Sequence, residues 1–252
     1  MKPIVEYSRE LNWQLKNFLR YSPALKHRSC INTADNIIGQ FSVAQQLRLS
    51  ELQQHYRLDD WVQLCNRAEY IENLYLLDLL DQHLDRAIPK GSGLDIGCRS
   101  FSHLPALSAF APHAWRGVEL DAHARYWNGY TRRAYGEWMA QQRSGSHYVA
   151  DSLLQVQGRF NTISWLLPFV VEAPLQRWGL PARYFQPKQL LEKACSLLAD
   201  DGVMMIINQG EHEADVQQAL FETVSVKAEP LGRIDSVFSP FKQPRYGWVV
   251  RR

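Results

Sequence analysis

From residue 91 onward, short apolar segments alternate with longer amphipathic ones, and this alternation constrains the fold more than any other feature of the chain. Strands are predicted over residues 93–97, 115–120, 147–150, 160–167, 202–208, 224–228 and 246–250. Helices are predicted between them over residues 102–110, 122–142, 187–198 and 211–221. Such alternation is typical of a parallel sheet covered by helices on both faces. We therefore predict a doubly wound, mostly parallel, seven-stranded α/β domain over residues 91–252, with ligands bound beyond the carboxyl ends of the strands.

Residues 1–90 have a helical pattern and few β-branched runs. Helices are predicted over residues 4–20, 35–55 and 58–84. In the last of these, apolar residues recur at three- and four-residue intervals on a wide stripe, which indicates a largely buried helix. Asp59 or Asp60 is its predicted N-cap, and Pro89 is expected to end the segment. We therefore expect a helical N-terminal extension, or cap, ahead of the α/β domain.

Composition and charge narrow the class of protein. Hydrophobic residues make up 46% of the 252 residues, which excludes intrinsic disorder. The 28 Lys and Arg nearly balance the 26 Asp and Glu, so the chain lacks the strong basic excess of many nucleic-acid-binding proteins. The longest apolar run, 163–171, is far shorter than the roughly 20 residues of a membrane span, and the N-terminus has no signal-peptide pattern. We expect a cytoplasmic protein with neither nucleic-acid nor membrane partners.

The cysteines and histidines do not indicate a metal site. The four cysteines, at positions 30, 65, 98 and 195, are scattered and form no C-x-x-C pair, which favours a reducing compartment. His212 has no second histidine four residues further on, so a metal role is not expected. Four other histidines are isolated candidates for a general base, although packing or surface positions are the more common roles: His103, His113, His123 and His147.

Acidic residues close three successive predicted strands, at Asp95, Glu119 and Asp151. The carboxyl ends of parallel strands meet at one edge of a sheet, so these side chains are expected to lie close together. Glu119 follows Asp95 by 24 residues, and a carboxylate about 20 residues past the first turn is placed to accept hydrogen bonds from a ribose. The structural alternative is that these acids cap the helices that follow the strands.

The succession of these segments resembles the Rossmann-like (class I) S-adenosylmethionine-dependent methyltransferases. The matching segments, in the family's order and at its spacing, are GLDIGC (93–98), GVELD (117–121), VADS (149–152), FNTISWLLP (160–168) and LLADDGVMMIIN (197–208). The resemblance covers residues 91 to 252. It implies S-adenosylmethionine as the cofactor and methyl transfer as the activity.

The resemblance also implies roles for particular residues, although it indicates no catalytic residue. The turn after Asp95, with Gly97, Cys98 and Arg99, would face the methionine portion of the cofactor. Glu119 would hold the ribose hydroxyls, with Leu120 beside it. Asp151 would meet the adenine amino group and Ser152 would lie beside the adenine.

The first loop departs from the family pattern D-x-G-x-G-x-G, because Arg99 and Phe101 stand at the second and third glycine positions. Glycine serves there because it permits close backbone approach and unusual dihedral angles. Arg99 could direct its guanidinium at the cofactor's carboxylate, could fill the pocket, or could be a solvated surface residue.

Three functions are consistent with these features. The first is methyl transfer to a small-molecule or other non-nucleic-acid acceptor. The second is a catalytically degenerate relative that acts as a binding or scaffold protein, which the missing glycines motivate. A nicotinamide-dependent oxidoreductase ranks last, because that class usually needs G-x-G-x-x-G and this loop provides one glycine.

The remaining predictions concern the acceptor side. The segment 168–187 is rich in proline and aromatic residues and is predicted to form an acceptor wall or lid, with the N-terminal helices covering the pocket. The loop after the fourth strand lacks the N-P-P-Y-type signature of amino-group methylation. Charged residues expected to be solvated are Glu69, Glu72 and Asp78 on the long helix, and Arg245, Arg251 and Arg252 near the C-terminus.

Overall fold

The computed structural model describes residues 2–26, 28, 30–31, 33–86 and 91–252. Its strands are β1 (Ser92–Ile96), β2 (Ala114–Val118), β3 (His147–Val149), β4 (Phe160–Leu166), β5 (Leu198–Gln209), β6 (Ala228–Ile234) and β7 (Arg245–Arg251). They form one seven-stranded sheet in the order β3-β2-β1-β4-β5-β7-β6. The first five strands pair in parallel, whereas β7 pairs antiparallel with both β5 and β6. The predicted mostly parallel, seven-stranded sheet is confirmed.

The helices before the sheet are α1 (Lys2–Phe18), α2 (Asp35–Ile38), α3 (Val43–His55), α4 (Trp61–Leu64) and α5 (Arg67–His83). The prediction of one helix over 58–84 was wrong, because the chain is extended at Cys65 and Asn66. Asn66, rather than Asp59 or Asp60, caps α5 through a capping box with Glu69. The predicted helix over 35–55 is likewise divided, because Ser42 caps α3 through a second capping box. Pro89, the predicted end of the segment, lies outside the described residues.

The helices of the α/β region are α6 (Leu104–Phe110), α7 (Arg132–Gln141), α8 (Glu172–Arg177), α9 (Pro187–Leu197) and α10 (Gly210–Thr223). The predicted helix over 122–142 begins only at Arg132, after a loop in which Gly129 has a φ of +82°. The Thr131 hydroxyl caps α7 by accepting a hydrogen bond from the Ala134 amide. The predicted strand over 224–228 was also wrong: the Val224 and Ser225 amides complete the end of α10, and β6 starts at Ala228.

Two hydrophobic cores lie on opposite faces of the sheet, and β5 contributes to both because successive strand residues point to opposite faces. Met205 and Ile207 pack with residues of α3, α4, α5 and α6, whereas Met204 and Ile206 pack with residues of α9 and α10. Helices α3–α5 therefore share one core with the sheet. That residues 1–90 form a helical extension separate from an α/β domain over residues 91–252 stays a prediction.

The direction of β7 places its first residue at the edge of the sheet where ligands are predicted to bind. Because β7 runs antiparallel to β5, its first residue, Arg245, pairs with Gln209 at the carboxyl end of β5. Arg245 therefore lies at the same edge as the carboxyl ends of the parallel strands.

None of the helices in the described part of the chain combines the length and the apolar character that a membrane span requires.

Candidate functional site

A cavity of about 410 Å³ opens at the carboxyl edge of the parallel strands. Seven of the eight residues predicted to bind a cofactor line it: Asp95, Gly97, Arg99, Glu119, Leu120, Asp151 and Ser152. They come from the ends of β1, β2 and β3, which are neighbours in the sheet. We call this part of the cavity, defined by Asp95, Glu119 and Asp151, the acidic end.

Asp95 is the most deeply buried acid of the cavity, with 1% of its surface exposed. Its Oδ2 atom has no hydrogen-bond partner among the described residues. Burial penalises the charged carboxylate and raises the pKa of Asp95 to about 7. A buried oxygen without a partner, in the wall of a cavity, is suited to a cationic or hydrogen-donating ligand group.

Glu119 joins the second strand end to the first loop. Its Oε2 accepts a hydrogen bond from the Arg99 amide at 2.9 Å, and its Oε1 accepts one from the Asp121 amide at 2.7 Å. Burial raises the pKa of Glu119, while Arg132, whose Nη1 lies 3.6 Å from Oε1, opposes that rise. Each carboxylate oxygen keeps a second lone pair, so the side chain can still accept hydrogen bonds from a ligand.

The first loop keeps a glycine-like backbone although it has a single glycine. Gly97, Arg99 and Phe101 all adopt left-handed conformations, with φ values of +69°, +52° and +58°. Phe101 is fully buried in the core against Gly117. The Arg99 guanidinium lies at the cavity wall, 5.7 Å from the Trp178 ring centre. The two side chains therefore leave the cavity open.

Asp151 and Ser152 form the far corner of the acidic end. Asp151 is exposed, and its Oδ1 accepts a hydrogen bond from the Ser152 amide at 2.7 Å. The Ser152 hydroxyl in turn accepts one from the Leu154 amide and starts a short 3₁₀ turn over Leu153–Gln155. The backbone at the end of β3 is thus held in place, while the Asp151 side chain can reach a ligand.

Cys98 is the one predicted binding residue that does not line the cavity. It is 3% exposed and belongs to the core on the α5 side of the sheet. Burial raises the pKa of its thiol well above the usual value, so the group stays protonated. Gly97, which has no side chain, lines the cavity with its backbone, whereas the Cys98 side chain packs into the core.

The segment 168–187 forms a wall of the cavity, with Pro168, Phe169, Pro174, Trp178 and Tyr184 among its lining residues. The centre of the Trp178 ring lies 4.6 Å from the guanidinium carbon of Arg132 and 5.7 Å from that of Arg99. Cation–π contacts of this kind fix an aromatic ring without burying it fully. The role of this wall in binding an acceptor stays a proposal.

Helix α1 contacts the segment 168–187 that forms this wall. Glu6 accepts a hydrogen bond from the Ala182 amide at 2.6 Å, and Glu10 forms an ion pair with Arg183. The Trp13 and Tyr184 rings pack with their centres 4.8 Å apart. The first helix therefore supports the wall.

Apart from His103, named as a candidate base, the residues at the other end of the cavity were not predicted to form a site, because they come from distant parts of the chain. Its lining includes Glu72 and Tyr75 of α5, His103 before α6, Phe241, and Arg245 of β7. We call the part defined by Tyr75, Phe241 and Arg245 the arginine end. The prediction that Arg245 is solvated was wrong, since 6% of its surface is exposed.

All three acids of α5 that were predicted to be solvated have partners, since Glu69 caps the helix and pairs with Arg28. Glu72 lies half-buried at the cavity with its Oε2 3.7 Å from His103 Nε2, and this pairing lowers the pKa of Glu72. Asp78 is 1% exposed and accepts a hydrogen bond from Arg48 at 2.7 Å. Helix α5 is buried on more of its surface than the charge pattern indicated, because the sheet lies beneath it and α6 beside it.

Comparisons with known proteins agree with this geometry at the level of the fold. No family model and no curated protein matches the chain. Among solved structures, an S-adenosylmethionine-dependent methyltransferase from Aquifex aeolicus is 10% identical over 80% of this chain and 96% of that one, with a TM-score of 0.51. The chain has the Rossmann-like class I methyltransferase fold.

Two further solved structures show the extent of the likeness. A putative O-methyltransferase from Nostoc punctiforme PCC 73102 is 10% identical over 87% of this chain and 66% of that one, with a TM-score of 0.50. Trm5b from Pyrococcus abyssi is 12% identical over 74% of this chain, with a TM-score of 0.46, and this chain spans only 48% of its length. At such identities the likeness concerns the fold alone.

Proposed function

We propose that the chain binds S-adenosylmethionine at the acidic end and transfers the methyl group to a small-molecule or other non-nucleic-acid acceptor. One observation supports this most strongly: carboxylates from three neighbouring strand ends line one open cavity, within the class I methyltransferase fold. When bound, this cofactor supplies a methyl group already activated on a sulfonium. The protein's task is then binding, alignment and exclusion of water.

The residues of the acidic end fit the parts of such a cofactor. Asp95 offers a buried, unpartnered carboxylate oxygen to an ammonium group, and Arg99 offers a guanidinium to a carboxylate. Glu119 would accept hydrogen bonds from the ribose hydroxyls. Asp151 and Ser152 would meet the adenine at the end of β3.

His103 is the candidate for accepting a proton from the acceptor. Its imidazole lines the cavity, and Glu72 Oε2 lies 3.7 Å from its Nε2 atom. The lowered pKa of Glu72 keeps that carboxylate ionised, so it can orient the ring and stabilise an imidazolium. Acceptors that lose no proton during attack would not need this pair.

The alternative of a degenerate binding or scaffold protein requires that the altered loop fills the cofactor space. Phe101 points instead into the core, and Arg99 lies at the wall of a cavity of about 410 Å³. A cavity that these two side chains leave open favours a methyltransferase over a degenerate binding or scaffold protein. The near-balanced charge favours an acceptor other than nucleic acid.

Calorimetric titration with S-adenosylhomocysteine tests the proposal without knowledge of the acceptor. We expect micromolar binding by the wild-type protein and at least a hundredfold loss for Glu119→Ala, because two carboxylate oxygens facing the ribose are removed. Glu222→Ala, which changes an exposed glutamate in the last turn of α10, is the matched control and should bind like wild type. Well-folded wild-type protein that binds neither this compound nor S-adenosylmethionine would refute the proposal.

A further inference from the structure

Arg245 is held at a fixed position in the sheet. It is the first residue of β7, and its backbone pairs with Gln209 of β5 and with Ile234 of β6. Its side chain lines the cavity with 6% of the residue exposed. A guanidinium on a strand flanked on both sides can be positioned more accurately than one on a loop.

This guanidinium has no ion-pair partner among the residues that the structure describes. Its Nη1 donates a hydrogen bond to the Gln243 carbonyl at 3.3 Å, and its carbon lies 4.4 Å from the Phe241 ring centre. Within the described ranges of the chain, no carboxylate oxygen lies within 4.0 Å of it. Burial lowers the pKa of Arg245, which expresses the cost of keeping that charge out of water. Buried charges are ordinarily paired, so this guanidinium is suited to an anionic ligand group.

Tyr75 provides a second donor in the same part of the wall. It is 6% exposed, its ring packs edge-on against Phe241 at 5.3 Å, and its hydroxyl has no hydrogen-bond partner among the described residues. Burial raises the pKa of Tyr75 to about 12, so the hydroxyl keeps its proton at neutral pH. Both Tyr75 and Arg245 thus contact Phe241 and have donors to spare.

The order of the strands in the sheet gives the approximate distance between the arginine end and the acidic end. Strands β4 and β5 separate β1, which carries Asp95, from β7. Three inter-strand spacings correspond to about 14 Å. Besides the Glu72–His103 pair, the cavity lining outside these two ends includes apolar side chains, among them Leu76, Leu166 and Ile207. A molecule in this part of the cavity would therefore have an apolar body and an anionic group at its far end.

We propose that the acceptor is an apolar or aromatic molecule with one carboxylate, and that Arg245 binds this carboxylate with the Tyr75 hydroxyl assisting. The inference rests on the proposed function, since it names the substrate class of the same cavity. A carboxylate matches the planar fork of a guanidinium. Glu213, which lines the cavity and acts electrostatically on Arg245, disfavours a doubly charged phosphate.

The test compares acids with their neutral amides. Protein saturated with S-adenosylhomocysteine is titrated with 4-coumarate and 4-coumaramide, and with indole-3-acetate and indole-3-acetamide, and the thermal midpoint is followed. We expect at least one acid to raise the midpoint more than its amide does. Arg245→Gln should weaken binding of that acid at least tenfold, and Tyr75→Phe about threefold. Arg251→Gln, at the exposed end of the same strand, is the matched control.

The outcomes separate this inference from the proposed function. Unchanged binding of S-adenosylhomocysteine by Arg245→Gln, together with loss of the acid, supports both. If no acid exceeds its amide, if the acid binds equally well to Arg245→Gln, or if inorganic phosphate competes with it, the inference is overturned while cofactor binding stands. Tyr75→Phe, which removes one oxygen only, provides the same test if Arg245→Gln fails to fold. Absence of S-adenosylhomocysteine binding would instead remove the proposed function, and the acids are then titrated alone.

Discussion

The two ends of the cavity are built in different ways. The acidic end consists of Asp95, Glu119 and Asp151, which lie at the carboxyl ends of three consecutive strands that are also neighbours in the sheet. The arginine end brings together α5, the loop before β7 and the start of β7, which are far apart in the chain. Among the described residues, Asp95 Oδ2 at the acidic end and the Tyr75 hydroxyl at the arginine end have no hydrogen-bond partner. A ligand set that satisfies both must be cationic or hydrogen-donating at one end and anionic at the other.

Asp95→Asn should have the largest effect on stability. The pKa of Asp95 is raised from 3.8 to about 7, which corresponds to about 4 kcal/mol. When the pKa of an acid is higher in the folded protein than in the unfolded chain, the unfolded chain releases the proton first as the pH rises. The free energy of unfolding of the protein therefore falls between about pH 4 and about pH 7. We expect the variant to be more stable than wild type by about 4 kcal/mol at pH 8 and equally stable near pH 4.

Denaturant unfolding at several pH values measures this difference. Asp200→Asn, an exposed acid of β5, is the control and should show no such pH dependence. A difference between Asp95→Asn and wild type that stays constant from pH 4 to pH 8 would show that Asp95 is not strained by its burial. The same variant should bind S-adenosylhomocysteine more weakly, since the carboxylate facing the ammonium is gone.

Arg99→Gly should have an intermediate effect and tests the role of the altered loop. Glycine tolerates the left-handed φ of +52°, so the backbone is preserved while the guanidinium is removed. We expect about tenfold weaker binding of S-adenosylhomocysteine and unchanged binding of methylthioadenosine, which lacks the amino-acid portion, by calorimetry. Equal losses for the two compounds would show that Arg99 acts on the loop rather than on the carboxylate.

Cys98→Ala should have the smallest effect. The Cys98 thiol packs in the core near Gly117, so we expect a loss of about 1 kcal/mol in the free energy of unfolding. Binding of S-adenosylhomocysteine should stay within twofold of wild type in a calorimetric titration. A large loss of affinity at unchanged stability would contradict the position of this side chain away from the cavity.

The contrast between the two ends also explains which features were predictable. The parallel strands are short segments with apolar residues, and an acid lies at or just after the end of each of the first three, so the acidic end could be predicted from local pattern. Arg245 could not, because near the C-terminus it is indistinguishable from the exposed Arg251 until β7 is paired with β5. Its burial is a consequence of sheet order, which no local pattern encodes.

The errors in the helical region have a different origin. The helical periodicity continues across Cys65 and Asn66, so the apolar pattern alone does not show the break between α4 and α5. The capping box of Asn66 with Glu69, and that of Ser42 with Gln45, are the local signals that could have located both helix starts. Capping residues indicate helix boundaries where hydrophobic periodicity does not.

The first loop keeps left-handed backbone angles at two residues that are not glycine. Arg99 and Phe101 adopt dihedral angles that side chains normally avoid, at a cost of about 1 kcal/mol each. Burial of the Phe101 ring offsets that cost with favourable packing. A turn with left-handed residues can therefore hold its shape with side chains in place of glycines, provided that neighbouring side chains supply the compensating contacts.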